Sequence, residues 1–212
     1  MIKDLLIISA GDFGREVYTW ACQAIEAGAK WRIKGFLDNR KNILENMGYD
    51  IEIISSVENY QPLRNDQFLC ALGDISAKKE YCKFILEKRG NFATLIHPSS
   101  IVGPRVEIGE GSILSPFTQL SCEIKLGKFV SFGTFSSAGH DVSIGDWSQV
   151  SSHCAINGRV RIEKGVFIGS GAVILPDIKI EEGAFVGAGS VVVRGVKAGI
   201  KVFGNPAMKL ES

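Results

Sequence analysis

From Val102 onward the chain repeats an apolar residue every six positions. The series is Val102, Ile108, Leu114, Leu120, Leu126, Phe132, Ala138, Ile144, Val150, Ile156, Ile162, Ile168, Ile174, Ile180, Val186 and Val192, without a slip. Four residues after each anchor stands a small or β-branched residue, such as Ser112, Thr118, Ile124, Val130 and Ala172. The position directly after the anchor is often glycine, as at Gly103, Gly139 and Gly169. A helix repeats near 3.6 residues and a half-buried strand near 2, so a period of six means a short strand plus a corner. Three such sides make a coil of about 18 residues, and coils stack at the strand spacing of ~4.8 Å. The pattern predicts a parallel β-helix of about five coils, some 25 Å tall.

Before the repeat the pattern is α/β. Leu5–Ala10 reads as a strand and Gly11–Gly28 as a helix, with Val17, Trp20, Ala21, Ala24 and Ile25 on one face. WRIKGFLD and FLCALGD read as further strands, and Ser76–Gly90 as a second helix. Strand, helix, strand, strand, helix predicts a small Rossmann-like parallel sheet. The expected units are residues 1–95 and 96–212. No Ser/Gly/Pro-rich stretch lies between them, so no flexible linker is expected.

Composition narrows the function. A net charge of +1 supplies no basic excess for nucleic acid. No apolar run reaches the roughly 18–20 residues that span a bilayer, and the first residues, broken by Lys3 and Asp4, do not read as a signal peptide. The five cysteines are scattered without CxxC spacing, which suits reduced thiols in a cytoplasm. There are three histidines. His140 falls at an outward corner and is followed by Asp141, a pairing suited to taking a proton near neutral pH, although a solvated corner histidine fits the spacing equally. His97, in LIHPSS, reads as structural. His140 and His153 lie thirteen residues apart rather than eighteen, so they do not stack as metal ligands, and no metal is expected.

Glycine placement gives two more candidate sites. SAGDFGRE resembles a dinucleotide fingerprint with Ser9 in place of the first glycine, leaving Gly11 and Gly14 to let an anion approach a helix N-terminus. Asp38 and Asn39, at the end of the second strand, stand where ribose hydroxyls are met. GSGA (Gly169–Ala172) and GAGS (Gly187–Ser190) lie eighteen residues apart on successive coils, leaving a smooth groove for pantetheine; tight corners also call for glycine on their own account. Gly158, eighteen residues beyond His140, is placed to offer a backbone amide to a thioester carbonyl.

Together, SAGDFGRE, GFLDN, ALGD, LIHPSS, GHDVSIGD, VFIGSGAVILP, AFVGAGSVV and VFGNPA resemble the hexapeptide-repeat acyltransferases, in particular the bacterial sugar O- and N-acetyltransferases acting on nucleotide-linked aminosugars or sialic acid. The resemblance covers nearly the whole chain. It implies a left-handed β-helix, where parallel crossovers alone would predict a right-handed one, and a homotrimer with acetyl-CoA as acyl donor. It implies His140 and Asp141 as the catalytic pair. Acyl-CoA contacts are implied at Gly158, Gly169, Gly171, Gly187, Ala188, Gly204, Asn205, Pro206 and Lys209, with Lys201 also a candidate for phosphate. Sugar-nucleotide contacts are implied at Ser9, Gly11, Phe13, Gly14, Asp38, Asn39 and Gly73. Many relatives carry a second histidine nine residues after the catalytic one; here that position is Gln149, so the role does not pass to His153, and both stay cleft candidates. The expected activity is N-acetylation of a nucleotide-linked 4-amino-4,6-dideoxysugar in surface-glycan biosynthesis. Sialic acid O-acetylation and a non-catalytic sugar-nucleotide-binding module are the alternatives. The γ-class carbonic anhydrases share the repeat but need metal ligands that this chain lacks.

Overall fold

The computed structural model describes residues 2–210. The chain forms two compact units that part between Pro98 and Ser99.

The first unit carries β1 (Lys3–Ile8), α1 (Asp12–Glu26), β2 (Trp31–Leu37), β3 (Ile53–Ser55), β4 (Asp66–Cys70), α2 (Ile75–Glu87) and β5 (Asn91–Phe92). The strands form one parallel sheet in the order β3-β2-β1-β4-β5. Three of them were legible as apolar runs. β3 and β5 were not, because three- and two-residue edge strands are too short to show a period. The central strand β1 buries Leu5, Leu6, Ile7 and Ile8 completely or nearly so, as expected for a strand covered on both faces. α1 turns its Val17, Ala21 and Ala24 face inward. At Gly14 an added Cβ would collide with the carbonyl of Ser9, so glycine there sets how closely α1 approaches the end of β1.

The second unit is the β-helix. Its two-residue rungs pair in parallel with partners eighteen residues away, as in Ser137–Ala138 against Ala155–Ile156. The first face stacks Ile101–Val102, Gln119–Leu120, Ser137–Ala138, Ala155–Ile156, Val173–Ile174 and Val191–Val192. The second stacks Glu107–Ile108, Lys125–Leu126, Ser143–Ile144, Arg161–Ile162 and Lys179–Ile180. Within this unit the third runs from Ile113–Leu114 through Ser131–Phe132, Gln149–Val150, Phe167–Ile168 and Phe185–Val186 to Lys201–Phe203 and Met208–Lys209. Six and five rungs on the first two faces agree with about five coils.

The anchors from Leu114 to Val192 form one continuous buried core. Val102 is 39% exposed and Ile108 only half buried, so the first two anchors fall short of the full burial expected of them. Small hydroxyl residues inside the prism are fully bonded. Ser136 Oγ, for example, donates to the Ser151 carbonyl at 2.8 Å and accepts from the Cys154 amide at 2.9 Å. Such pairing removes most of the cost of burying them. From Arg105 to Gly189 the third residue after each anchor has positive φ. The glycine directly after the anchor therefore has a different cause: at Gly139 a Cβ would lie 2.8 Å from the Gly158 nitrogen of the next coil. Close stacking of coils, rather than corner conformation, keeps that position small.

Candidate active site

His140 and Asp141 occupy the edge that follows the first face. Their neighbouring anchors, Ala138 and Ile144, point into the prism and are 2% exposed, while both site side chains are about half exposed. His140 Nδ1 lies 2.7 Å from Asp141 Oδ2. A carboxylate only accepts, so Nδ1 is the donor, and in the neutral ring that leaves the lone pair on Nε2. The next coil holds this corner, with the Arg159 amide donating to the His140 carbonyl at 2.9 Å.

Gly158 lies directly across from the imidazole. A Cβ there would stand 2.7 Å from His140 Nε2 and 3.0 Å from Cε1. Its carbonyl accepts from Asp177, and its own amide donates to no protein group among the described residues. The amides of Cys122, His140 and Ser152, at the equivalent place in other corners, are likewise left open. Gly158 is distinguished by lying beside the Nε2 lone pair, so one small region offers both a proton acceptor and an amide donor.

Of the residues assigned to acyl-CoA, Gly158 shares the His140 edge and the other glycines stand on another. Gly169, Gly171, Gly187 and Ala188 belong to corners that follow the third face. Gly204 has positive φ and Asn205–Pro206 is a cis bond, in the turn between the antiparallel strands ending at Phe203 and beginning at Met208. Lys209 and Lys201 lie on those two strands. Within one prism these residues do not share an edge with His140. His153 is on the third-face edge as well, exposed and stacked on Phe135 with ring centroids 5.1 Å apart. Phe135 in turn stacks on Phe117. Gln149 is buried on the third face.

The first unit contains a cavity of about 180 Å³ at the C-terminal ends of its strands. It sits where the strand order turns back, β2 and β3 lying on one side of β1 and β4 on the other. Ligands of open α/β sheets bind at such switch points. Ser9, Asp38 and Asn39 line it, together with Arg40, Leu72 and Tyr81, which the sequence did not single out. Arg40 follows Asp38 by two residues and was open to notice as a charge pair; the α2 pattern marks Tyr81 only as part of an apolar face with Phe84 and Ile85, not as a site residue. Gly11 lies beside the Arg40 guanidinium. Phe13 packs edge-on against Trp20, Gly14 is buried beneath the turn, and Gly73 is exposed; none of these three lines the cavity.

Burial works to raise the Asp38 carboxyl. Hydrogen bonds from the Arg40 side chain and from the Ala10 and Arg40 amides outweigh it and hold the group below the usual carboxylate range. Asn39 Nδ2 donates to Glu58 Oε1 at 3.0 Å. No group of three or more His, Cys, Asp or Glu side chains is arranged to hold a metal ion among the described residues.

Comparison with known proteins agrees with both units. Residues 4–85 match the PglD N-terminal domain, and residues 159–194 match the bacterial transferase hexapeptide model of six repeats. The chain is 32% identical over 212 residues to GDP-perosamine N-acetyltransferase of Escherichia coli O157:H7, spanning 97% of this chain and 95% of the relative. Among solved structures, the acetyltransferase domain of PglB from Neisseria gonorrhoeae FA1090 superposes with a TM-score of 0.90 at 25% identity, covering 98% of this chain and all of that one. WeeI from Acinetobacter baumannii AYE gives 0.85 at 28% identity, covering 98% and 99%. The chain belongs to the hexapeptide-repeat acetyltransferases that carry a PglD N-terminal domain, a family whose β-helix is left-handed.

Proposed function

We propose that the protein transfers the acetyl group of acetyl-CoA to the free amine of a nucleotide-linked 4-amino-4,6-dideoxysugar, in the cytoplasm, for surface-glycan synthesis. The observation that carries this is the His140–Asp141 pair with Nε2 beside the open Gly158 amide. The E. coli relative, named for N-acetylation of a nucleotide aminosugar, supports the choice of substrate class. The sugar amine attacks the thioester carbonyl and forms a C–N bond. His140 Nε2 takes the amine proton, and the Gly158 amide meets the negative oxygen. The C–S bond then breaks, and the proton on His140 passes to the departing thiolate. Asp141 fixes the tautomer and stabilises the imidazolium. In this reading the first unit binds the nucleotide in the cavity that Ser9, Asp38 and Asn39 line, beside the Gly11 turn.

A homotrimer belongs to the same proposal. His140 and the glycine corners lie on different edges of one prism, so a groove using both needs two prisms side by side. The outward residues of the first face, Ile101, Gln119, Ser137, Ala155, Val173 and Val191, include no charge, whereas the second face presents Glu107, Lys125, Arg161 and Lys179. An uncharged face suits burial against another copy. All five cysteines are unpaired, which suits a reducing compartment.

The test is thiol release from acetyl-CoA with a panel of nucleotide-linked 4-amino-4,6-dideoxysugars, the matching 4-hydroxy sugars, and sialic acid. Release with the amines alone is expected, from protein whose mass in solution is that of three chains. Release with sialic acid and not with amines would establish the O-acetyltransferase instead, and a fully active monomer would remove the shared groove.

A further inference from the structure

We infer that the cavity of the first unit holds the diphosphate of its ligand through Arg40, and that Asp38 serves only to hold Arg40 in place. The inference deepens the reading of this unit as the nucleotide-binding part and rests on it. The ribose or base contact expected of Asp38 from the sequence is met by a carboxylate that is already occupied. Asp38 Oδ1 accepts from the Arg40 amide and Nε, each at 2.9 Å. Oδ2 accepts from Arg40 Nη2 and the Ala10 amide, each at 2.8 Å. A carboxylate offers about four lone-pair sites, and all are used.

Arg40 is the opposite case. Its side chain is 60% exposed, and it spends two N–H groups on Asp38. Of the five that a guanidinium carries, about three remain, and they meet no protein group among the described residues. Nη2 stands 3.4 Å from where a Gly11 Cβ would be, so the fork lies across the turn that opens α1. Gly11, the cap of this 15-residue helix, offers no side chain to its first amides. Asp12, the acidic residue of the first turn, is engaged by Arg15. Behind these donors the cavity is walled by Ile8, Leu37, Val57 and Leu72, with the Tyr81 ring at one side. An apolar slot of ring size, with free donors and no free carboxylate at its mouth, suits a planar base with a phosphate beside it.

Calorimetric titration of the full chain with GDP, UDP and dTDP, and with the matching nucleosides, tests this. The wild type should prefer one diphosphate over its nucleoside. Arg40→Ala should weaken that diphosphate roughly ten- to a hundredfold, the range for a charge-assisted hydrogen bond, and leave the nucleoside within about twofold. Arg40→Lys should recover only part of the loss, since an ammonium lacks the fork. Asp38→Asn should weaken the diphosphate as well, and the double variant should be no weaker than Arg40→Ala alone. Equal losses for diphosphate and nucleoside would mean that Arg40 reads the base. Additive losses would mean that Asp38 touches the ligand itself. Either result overturns the inference while leaving the nucleotide reading intact; a wild type that binds none of the three diphosphates would overturn that reading too.

Discussion

The two units carry their candidate sites in different ways. In the β-helix the inward anchors hold the fold and the corners face outward, so Ala138 and Ile144 do the packing while His140 and Asp141, between them, do none. In the α/β unit the same residues serve both ends. Asp38 lines the cavity and also accepts the Ala10 amide just beyond β1, and the carbonyl of Ser9 is the surface against which α1 packs at Gly14. A repeating prism separates chemistry from architecture. The strand ends of the sheet do not, and a substitution there alters binding and stability together.

The largest effect that would break this contrast is in the prism core. Ile156 is 1% exposed in the continuous apolar core, and Ile156→Asp would place an unpaired charge there at a cost of several kcal/mol. The variant should be insoluble or lack a cooperative melting transition. Soluble protein with a wild-type transition would show that the hexad register is wrong. Next in size is His140→Asn, which should melt and assemble as the wild type does while turnover falls roughly 10²–10⁴-fold through loss of the general base. An amine that is already unprotonated needs less help than a hydroxyl, so a loss at the low end favours N-acylation. If His140→Asn keeps full turnover and His153→Asn abolishes it, the two histidines exchange roles.

Gly158→Ala is a subtler test of the same edge. Gly158 does not have positive φ, so its backbone accepts alanine, and the objection comes from the His140 ring 2.7 Å away. The methyl should displace the imidazole without unfolding the corner. Misplacement of about 1 Å can cost up to about a hundredfold in rate, so kcat should fall about ten- to a hundredfold with little change in melting temperature. Combined with His140→Asn, it should add almost nothing. A full additional loss would mean that the Gly158 effect does not pass through the histidine.

Legibility in the sequence followed the same divide. The hexads were plain because each rung repeats the same inward demand, and eighteen-residue arithmetic put His140 and Gly158 on one edge and His153 on another. The same arithmetic did not show that the first two anchors, Val102 and Ile108, each on the terminal rung of its face, stay partly exposed. It also left the reason for Gly139 hidden, since an inter-coil approach appears only in three dimensions. In the first unit the turn glycines and Asp38 could be picked out by motif. Arg40 and Tyr81 join them from a loop and a second helix, and only the folded sheet brings these to one cavity.

The smallest effect sharpens the comparison through pH. His97 is buried, which pushes its imidazole below the ordinary value, and its Nε2 lies 2.7 Å from Gln23 Oε1 in α1. That amide oxygen only accepts, so the ring donates Nε2–H to it, and burial favours the neutral ring. The unfolded chain gains a proton on this histidine near pH 6.5, before the folded chain does. Stability is therefore complete above about pH 6.5, falls as pH drops below it, and levels off below the folded value. One such group changes stability by no more than about 1.4 kcal/mol per pH unit. Thermal melting of the wild type and of His97→Gln from pH 7.5 to 5 isolates this part, since glutamine keeps a donor but cannot titrate. The wild type should lose more melting temperature over that interval than the variant. Equal losses would show that His97 plays no part in the acid response, and that the first unit's packing does not depend on holding this ring neutral.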